Sequence, residues 1–341
     1  MHTTYAPIQS PLFRQLLDSL RGKRVAILGH LRPDGDCIGS QVALCRIFNT
    51  NGVDAICING DAAPRNLTSL IGDTPFLKVD PKGSDYSPDG REAVFVDCSE
   101  STRAGHELTA KFETLAANID HHLSNPSYAK VNIVDSDAPA TCAMLATFAL
   151  DNALPIDAPT AQALYTGIVT DTGQFRYPAT TTQTLEIAAQ LLRHGASIRT
   201  TTSELYERNR FARLTLLRHF LSSLTLHANG RVCTGELPSG IYEQTQTTHE
   251  DAEDLVDYAR CIDGVAIAVL LEDGPRGVKG SLRAKDKRYR MDLLAQKLNG
   301  GGHALAAGFT YHLGTTLAQN RQDILAIITR HLTEIDHTHE G

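Results

Sequence analysis

The segment Gly29–Ser40, GHLRPDGDCIGS, combines one imidazole and two carboxylates within a few residues. It follows an apolar run, residues 24–29, that predicts a strand, and it precedes a periodicity that predicts a helix. His30, Asp34 and Asp36 are therefore expected on a loop at the carboxyl end of a strand, where open α/β sheets bind ligands. Taken alone, the carboxylates could also be turn formers or helix N-caps, with His30 an ordinary polar loop residue.

Three further segments place acidic or imidazole side chains at the ends of predicted elements. Asp97 ends the apolar run of VFVDCS, and NIDHH places Asp120, His121 and His122 at the end of another. Asp171, in YTGIVTDTGQF, follows an apolar helix and precedes a glycine, a position that also suits a structural turn residue. Because the carboxyl ends of parallel strands meet at one edge of a sheet, this recurrence favours a shared site.

These donors are carboxylate oxygens and imidazole nitrogens, without convergent cysteines. Such a set suits Mn²⁺ or Mg²⁺ better than a structural zinc ion. A carboxylate shared between two ions is typical of two-metal phosphoryl-transfer sites. The residues alone therefore predict a dinuclear metal hydrolase that acts on phosphate esters.

The elements that must position these residues predict two domains. Strand-like runs alternate with helix-like segments in the first part of the chain; these runs are residues 24–29, 53–58, 93–96 and 115–119. The alternation predicts an α/β domain with a doubly wound, mostly parallel sheet over residues 1–195. Residues 196–228 lack strand signals and predict a helical linker, and residues 229–341 predict a smaller α+β domain.

Length and composition exclude several classes of protein. The 341 residues are 42% hydrophobic and 21% charged, which is ordinary for a folded globular chain. Neither a signal peptide nor an apolar run of membrane-spanning length is visible, so we expect a cytoplasmic protein. Seven cysteines without a CxxC pair argue against a disulfide framework. A formal charge of -7 disfavours long nucleic acid as a partner.

A glycine run near the C-terminus is the second candidate site. In NGGGHALAAGF, the glycines at 300–302 could present backbone N–H groups to an anion, with His303 beside them. Arg283 lies in a basic segment upstream, although such segments usually form solvated faces. The glycine run could instead be a flexible turn before a short helix that starts near Ala304.

The ordered set HxxPDGDxxGS, DCS, DHH, GIVTDTGQF and GGGHxxAAGF resembles the motifs of the DHH phosphoesterase family with its DHH-associated C-terminal domain. The resemblance implies two Mn²⁺ ions, with Mg²⁺ as a substitute. By similarity, one ion is held by His30, Asp34 and Asp97, and the other by Asp36, Asp97, His121 and Asp171. Asp120 would orient a histidine, and His122 would face the scissile phosphate.

Within the family, the chain resembles the small two-domain members of the nanoRNase type, bifunctional oligoribonucleases and phosphatases of 3'-phosphoadenosine 5'-phosphate (pAp). This implies that oligonucleotides of two to five nucleotides and pAp are substrates. By similarity, Arg283, His303, Gly301 and Gly302 would bind the substrate. Whether the protein forms a homodimer is left open by the sequence.

Two other functions remain open at this point. A soluble phosphodiesterase for linear or cyclic dinucleotides would need the same pocket. A noncatalytic nucleotide-sensing protein would keep the fold, and Asp97→Asn separates it from an enzyme because a sensor keeps binding while an enzyme loses turnover.

Overall fold

A computed structural model describes residues 4–80, 82, 85–274, 277–311 and 316–339. Contacts divide the chain into two compact units, Met1–Arg208 and Asn209–Gly341. Among the described residues, no helix combines the length and the apolar character that crossing a bilayer requires.

The first unit is built on a six-stranded sheet. Its strands are β1 (Arg24–Leu28), β2 (Asp54–Asn59), β3 (Phe76–Lys78), β4 (Glu92–Val96), β5 (Leu115–Asp120) and β6 (Val131–Val134). Their order is β3-β2-β1-β4-β5-β6, and every neighbouring pair is parallel. The predicted doubly wound α/β fold is confirmed, and its strand order reverses between β1 and β4. The sequence did not predict β3 and β6, which are short and partly exposed.

Eight helices accompany this sheet in the described part of the first unit. They are α1 (Gln9–Leu20), α2 (Gly35–Thr50), α3 (Thr68–Ile71), α4 (His106–Thr109), α5 (Thr141–Asp151), α6 (Ala158–Asp171), α7 (Thr182–Arg193) and α8 (Ile198–Tyr206). A 3₁₀ turn spans Ser101–Ala104. Helices α2, α5 and α6 are buried on nearly every side, because small and apolar residues cover their whole circumference.

Glycines let α2 and α6 approach their neighbours closely. A Cβ atom on Gly39 would lie 2.5 Å from the carbonyl oxygen of Ala163, and one on Gly35 would lie 2.4 Å from Oγ1 of Thr170. Contacts this short leave no room for a larger side chain. They bring the start of α2 against the end of α6.

The second unit contains a mixed six-stranded sheet. Its strands are β7 (Thr225–His227), β8 (Val232–Leu237), β9 (Ile267–Gly274), β10 (Gly277–Ala284), β11 (Gly300–Gly302) and β12 (Ala306–Tyr311). Its helices are α9 (Phe211–Ser223), α10 (Ile241–Thr245), α11 (Leu255–Arg260), α12 (Met291–Gln296) and α13 (Leu317–His339). The strand order is β11-β12-β10-β9-β8-β7, with only β8 and β9 parallel. The predicted α+β class is confirmed.

Residues 196–228, predicted as a helical linker, contribute to both units. Helix α8 belongs to the first unit, where Thr201 Oγ1 lies 3.0 Å from Thr166 Oγ1. Helix α9 belongs to the second unit, where Leu216 and Phe220 are completely buried. The expectation that no strand lies in this stretch is wrong at its end, because Thr225–His227 pairs with β8.

Candidate metal centre

Three neighbouring strands present polar side chains at their carboxyl ends. His30 follows β1, Asp97 follows β4 and Asp120 ends β5, and these strands are adjacent in the sheet. All three residues are at least 95% buried. Asp97 has φ 55°, a left-handed conformation that is strained for a residue with a Cβ atom. Strain of this kind concentrates at functional sites.

The start of α2 supplies two carboxylates. Oδ1 of Asp34 accepts from the backbone N–H groups of Asp36 and Cys37, so the N-cap role considered for Asp34 is correct. Its other oxygen, Oδ2, lies 3.8 Å from Nε2 of His30. Asp36 is buried, and its two oxygens accept from the backbone N–H groups of Thr141 (2.6 Å) and Cys142 (2.8 Å). Asp36 thus also anchors the start of α5.

His30 and His121 link these carboxylates from opposite sides. Nε2 of His30 lies 3.4 Å from Asp97 Oδ2. Nε2 of His121 lies 3.5 Å from Asp97 Oδ1, 3.2 Å from Asp171 Oδ2 and 3.9 Å from Asp36 Oδ2. The structure therefore brings all six predicted ligands together, and Asp97 lies between the two imidazoles.

The hydrogen bonds of these two imidazoles fix which nitrogen faces the cluster. Nδ1 of His30 lies 2.9 Å from the carbonyl oxygen of Leu31, and Nδ1 of His121 lies 3.2 Å from that of Ala138. A carbonyl can only accept, so each Nδ1 carries the proton. In the neutral tautomer, each Nε2 lone pair then points among the carboxylates, as in histidines that ligate a metal.

The pKa shifts report strong negative potential in the cluster. Burial and the charge of Asp97 raise the pKa of Asp36 to about 7. Burial and Asp36 raise the pKa of Asp171 well above its usual range. Burial alone would lower the pKa of His121, but hydrogen bonding to Asp97 and the nearby carboxylates raise it to about 11. Without cations, protons must compensate carboxylates packed this closely.

Asp120 contacts the other histidine of the DHH sequence. Its Oδ1 accepts from Nδ1 of His122 at 2.7 Å, and its Oδ2 accepts from Nδ2 of Asn125 at 2.6 Å. Asn125 also donates to Oδ1 of Asn118. The fully buried Asp120 therefore fixes the ring of His122, which lies at the rim of the cluster.

The residues of the second candidate site lie at one end of the second sheet. Arg283 of β10 pairs with Ala306 of β12, and the N–H group of His303 donates to the Ala306 carbonyl at 2.7 Å. The alternative of a short helix near Ala304 is wrong, because the chain turns directly into β12. Arg283 and His303 therefore both neighbour Ala306, at the start of β12.

Gly301 and Gly302 differ in their surroundings. A Cβ atom on Gly302 would lie 2.6 Å from Cα of Ala307, and its φ of 146° disfavours other residues. Strand pairing therefore accounts for Gly302. A Cβ atom on Gly301 would meet nothing within 4 Å, so this glycine leaves open space in front of the sheet.

The sequence matches two family profiles. The profile of the DHH family, N-terminal domain, matches residues 24–168, and that of the DHHA1 domain matches residues 230–334. A bifunctional oligoribonuclease and PAP phosphatase, NrnA, of Thermus thermophilus is 31% identical over 94% of both chains. This chain belongs to the DHH family. It is a DHH-type phosphoesterase with a DHHA1 domain.

Other relatives agree with this assignment. The bifunctional oligoribonuclease and PAP phosphatase NrnA of Bacillus subtilis is 26% identical over 82% of this chain and 86% of its own. An exopolyphosphatase-related protein from Bacteroides fragilis superposes with a TM-score of 0.87. It is 21% identical and covers 96% of this chain and 97% of its own, which establishes a shared fold.

The donor set fits divalent cations of the kind that DHH proteins are expected to hold. The described residues contain three groups of side chains that could hold a cation. In each group the donor atoms lie within 4.8 Å of one another: His30, Cys37 and Asp97; Asp97, His121 and His122; and Asp36, His121 and Asp171. Asp97 and His121 each belong to two groups, so the groups form one continuous centre. Carboxylate and imidazole donors predominate, as Mn²⁺ and Mg²⁺ prefer.

Sequence reasoning missed several residues of this centre. Cys37 lies beside His30 and Asp97, and burial raises the pKa of its thiol. Nη1 of Arg103 lies 3.3 Å from Nε2 of His122. Arg103 occurs on a loop after a strand end, which is a usable signal, but an isolated arginine there is common. Thr141, whose N–H group binds Asp36, carried no signal at all.

Proposed function

We propose that this protein hydrolyses very short oligonucleotides to mononucleotides, and pAp to AMP, with two Mn²⁺ ions. The observation that carries the proposal is the convergence of six side chains with oxygen or nitrogen donors at the carboxyl edge of the sheet, with Asp97 between the two imidazoles. The activities for which the Thermus thermophilus and Bacillus subtilis relatives are named, oligoribonuclease and PAP phosphatase, support the choice of substrates.

In this proposal the six donors divide between two cations. His30, Asp34 and Asp97 would hold the first, and Asp36, Asp97, His121 and Asp171 would hold the second. When bound, such cations activate water and neutralise charge on phosphoryl oxygens. The protein contributes position, because the two Nδ1–H bonds to carbonyls fix His30 and His121.

The remaining residues act on the substrate. Asp120 holds the ring of His122, which faces the phosphate and contributes to stabilising charge there. In the DHHA1 domain, Arg283 and His303 bind substrate phosphate, with Gly301 and Gly302 leaving backbone exposed beside them. A guanidinium suits this task because it can donate two parallel hydrogen bonds.

Net charge supports a preference for short substrates. With a formal charge of -7, the protein offers little long-range attraction to a long polyanion. A dinucleotide or pAp is held by local contacts, whereas a long strand gains nothing from the rest of the surface. Turnover that rises steadily with chain length would contradict this part of the proposal.

The test is hydrolysis by metal-stripped protein, with and without added Mn²⁺. Four substrates are compared: a 5'-phosphorylated RNA dinucleotide, a long RNA single strand, pAp and cyclic di-AMP. We expect Mn²⁺-dependent release of mononucleotides from the dinucleotide and of AMP from pAp. Activity confined to cyclic di-AMP would identify a cyclic dinucleotide phosphodiesterase instead.

A pair of variants makes the test specific. Asp97→Asn removes the shared carboxylate and should abolish turnover. Asp18→Asn changes an exposed carboxylate of α1, which pairs with Arg14 and Arg21, and should leave turnover unchanged. Wild-type protein that binds AMP but hydrolyses none of the four substrates would identify a sensor.

A further inference from the structure

Arg103 is held firmly at the rim of the metal centre. It lies in the 3₁₀ turn Ser101–Ala104, and its carbonyl accepts from the N–H group of Leu31 at 2.7 Å. That bond ties the turn to the loop that carries His30. The neighbouring Ala104 is buried in the core, so the backbone at this position has little freedom.

The contact between Arg103 and His122 has a fixed direction. Nη1 of Arg103 lies 3.3 Å from Nε2 of His122, while Nδ1 of His122 lies 2.7 Å from Oδ1 of Asp120. A guanidinium can only donate, so Nε2 must accept and the ring proton must sit on Nδ1. In this arrangement His122 presents no N–H group at Nε2, and the donor facing outward is the guanidinium.

The distribution of charge at the rim also leaves the Arg103 guanidinium as the outward-facing donor. The four ligand carboxylates, Asp34, Asp36, Asp97 and Asp171, carry the formal charge that two divalent cations balance. Nδ1 of His122 lies 3.6 Å from Asp97 Oδ1, so the imidazole lies between Asp97 and Arg103. Within the described part of the chain, no carboxylate forms an ion pair with Arg103. Its positive charge is therefore available to a phosphate.

We propose that Arg103 is a substrate-binding residue that donates to a non-bridging oxygen of the scissile phosphate, and that His122 and Asp120 hold it in position. This inference rests on the proposed function, since it concerns the phosphate of the same substrate. A planar guanidinium held on one side by an imidazole keeps its other N–H groups directed away from that ring. It stabilises charge that increases as the phosphoryl group is attacked.

The test compares Arg103→Ala, Arg103→Lys and a control, Arg193→Ala, which changes an exposed arginine at the end of α7. Titration calorimetry measures the affinity for Mn²⁺ alone and for AMP in the presence of Mn²⁺. Steady-state kinetics measure hydrolysis of a 5'-phosphorylated RNA dinucleotide. We expect Arg103→Ala to lower kcat/KM about 10- to 100-fold, the range of one charge-assisted hydrogen bond, and to weaken AMP binding.

Affinity for Mn²⁺ should not change in Arg103→Ala, and Arg103→Lys should recover part of the AMP affinity. Loss of Mn²⁺ affinity together with kcat/KM would overturn the inference in favour of a structural role. An AMP affinity and a kcat/KM within twofold of wild type would also overturn it. If wild-type protein hydrolyses nothing, the proposed function fails, while the AMP affinities still decide whether Arg103 binds phosphate.

The role of His122 is tested by a double variant. If His122 acts by holding Arg103, then adding Arg103→Ala to His122→Ala should reduce kcat/KM by much less than it does in the wild type. Fully multiplicative losses would show that the two side chains act independently, and the positioning part of the inference would be wrong.

Discussion

Replacing Gly167 with alanine should destabilise the protein although it improves helix propensity. An added Cβ atom would lie 2.3 Å from Sγ and 2.9 Å from Cβ of Cys142, and 3.0 Å from Oδ1 of Asp36. Overpacking of a rigid core costs up to about 3 kcal/mol, whereas glycine to alanine in a helix gains about 1 kcal/mol. We therefore expect a net loss of about 2 kcal/mol, or about 4–8 °C in Tm.

Urea and thermal unfolding of the metal-free protein measure this loss, and calorimetry measures Mn²⁺ affinity, which should also fall because Asp36 is displaced. The matched control is Cys142→Ala, alone and combined with Gly167→Ala. Removing Sγ should relieve the shorter contact, while the contact with Cβ of residue 142 remains. The free energy of unfolding of the double variant should therefore be higher than the sum of the two single effects predicts. A Gly167→Ala protein as stable as wild type would refute the close-packing argument.

Three other perturbations test different parts of the structure. Asp157→Ala removes the N-cap of α6 and an exposed pair with Arg46, and should cost about 1–2 kcal/mol in urea unfolding at pH 7. Because Arg46 lowers the folded-state pKa of Asp157 to about 2, this difference should persist above pH 4 and shrink as the pH falls towards 2. Asp120→Asn leaves an amide that can accept from only one of its two donors, and should lower kcat about 100-fold with little change in KM in steady-state assays. Chelation with EDTA should abolish hydrolysis and lower the Tm of the first unit, and added Mn²⁺ should restore both, as calorimetry can show.

The sequence predicted the architecture of the first unit well because three of its motifs lie at strand ends. His30, Asp97 and Asp120 follow apolar runs, and parallel strands bring such ends to one edge. Thr141, one of the residues that sequence reasoning missed, makes its contact across a long stretch of chain. Thr141 reaches Asp36, which lies more than a hundred residues earlier, and no local pattern encodes that distance.

Short or exposed elements were also beyond sequence reasoning. The three residues of β3 are mostly exposed, so they lack the apolar alternation that identifies a strand. The run Gly300–Gly302 suggested an anion-binding segment or a flexible turn, since glycine disfavours strands, yet it pairs with β12. Glycine is needed at both ends of this strand because the backbone of β12 approaches it closely, and that approach is visible only in the folded sheet.

The candidate metal centre draws its six donors from four separate segments between His30 and Asp171. The donor set is complete only after the central strands, α2 and α6 have assembled. The contacts within the set join residues far apart in the sequence, so the contact order of this region is high. Cation binding at this centre would therefore be thermodynamically linked to the folding of the first unit, because a cation that binds only the assembled state stabilises it by mass action. Cellular availability of that cation would then control how long the protein survives as well as how fast it works.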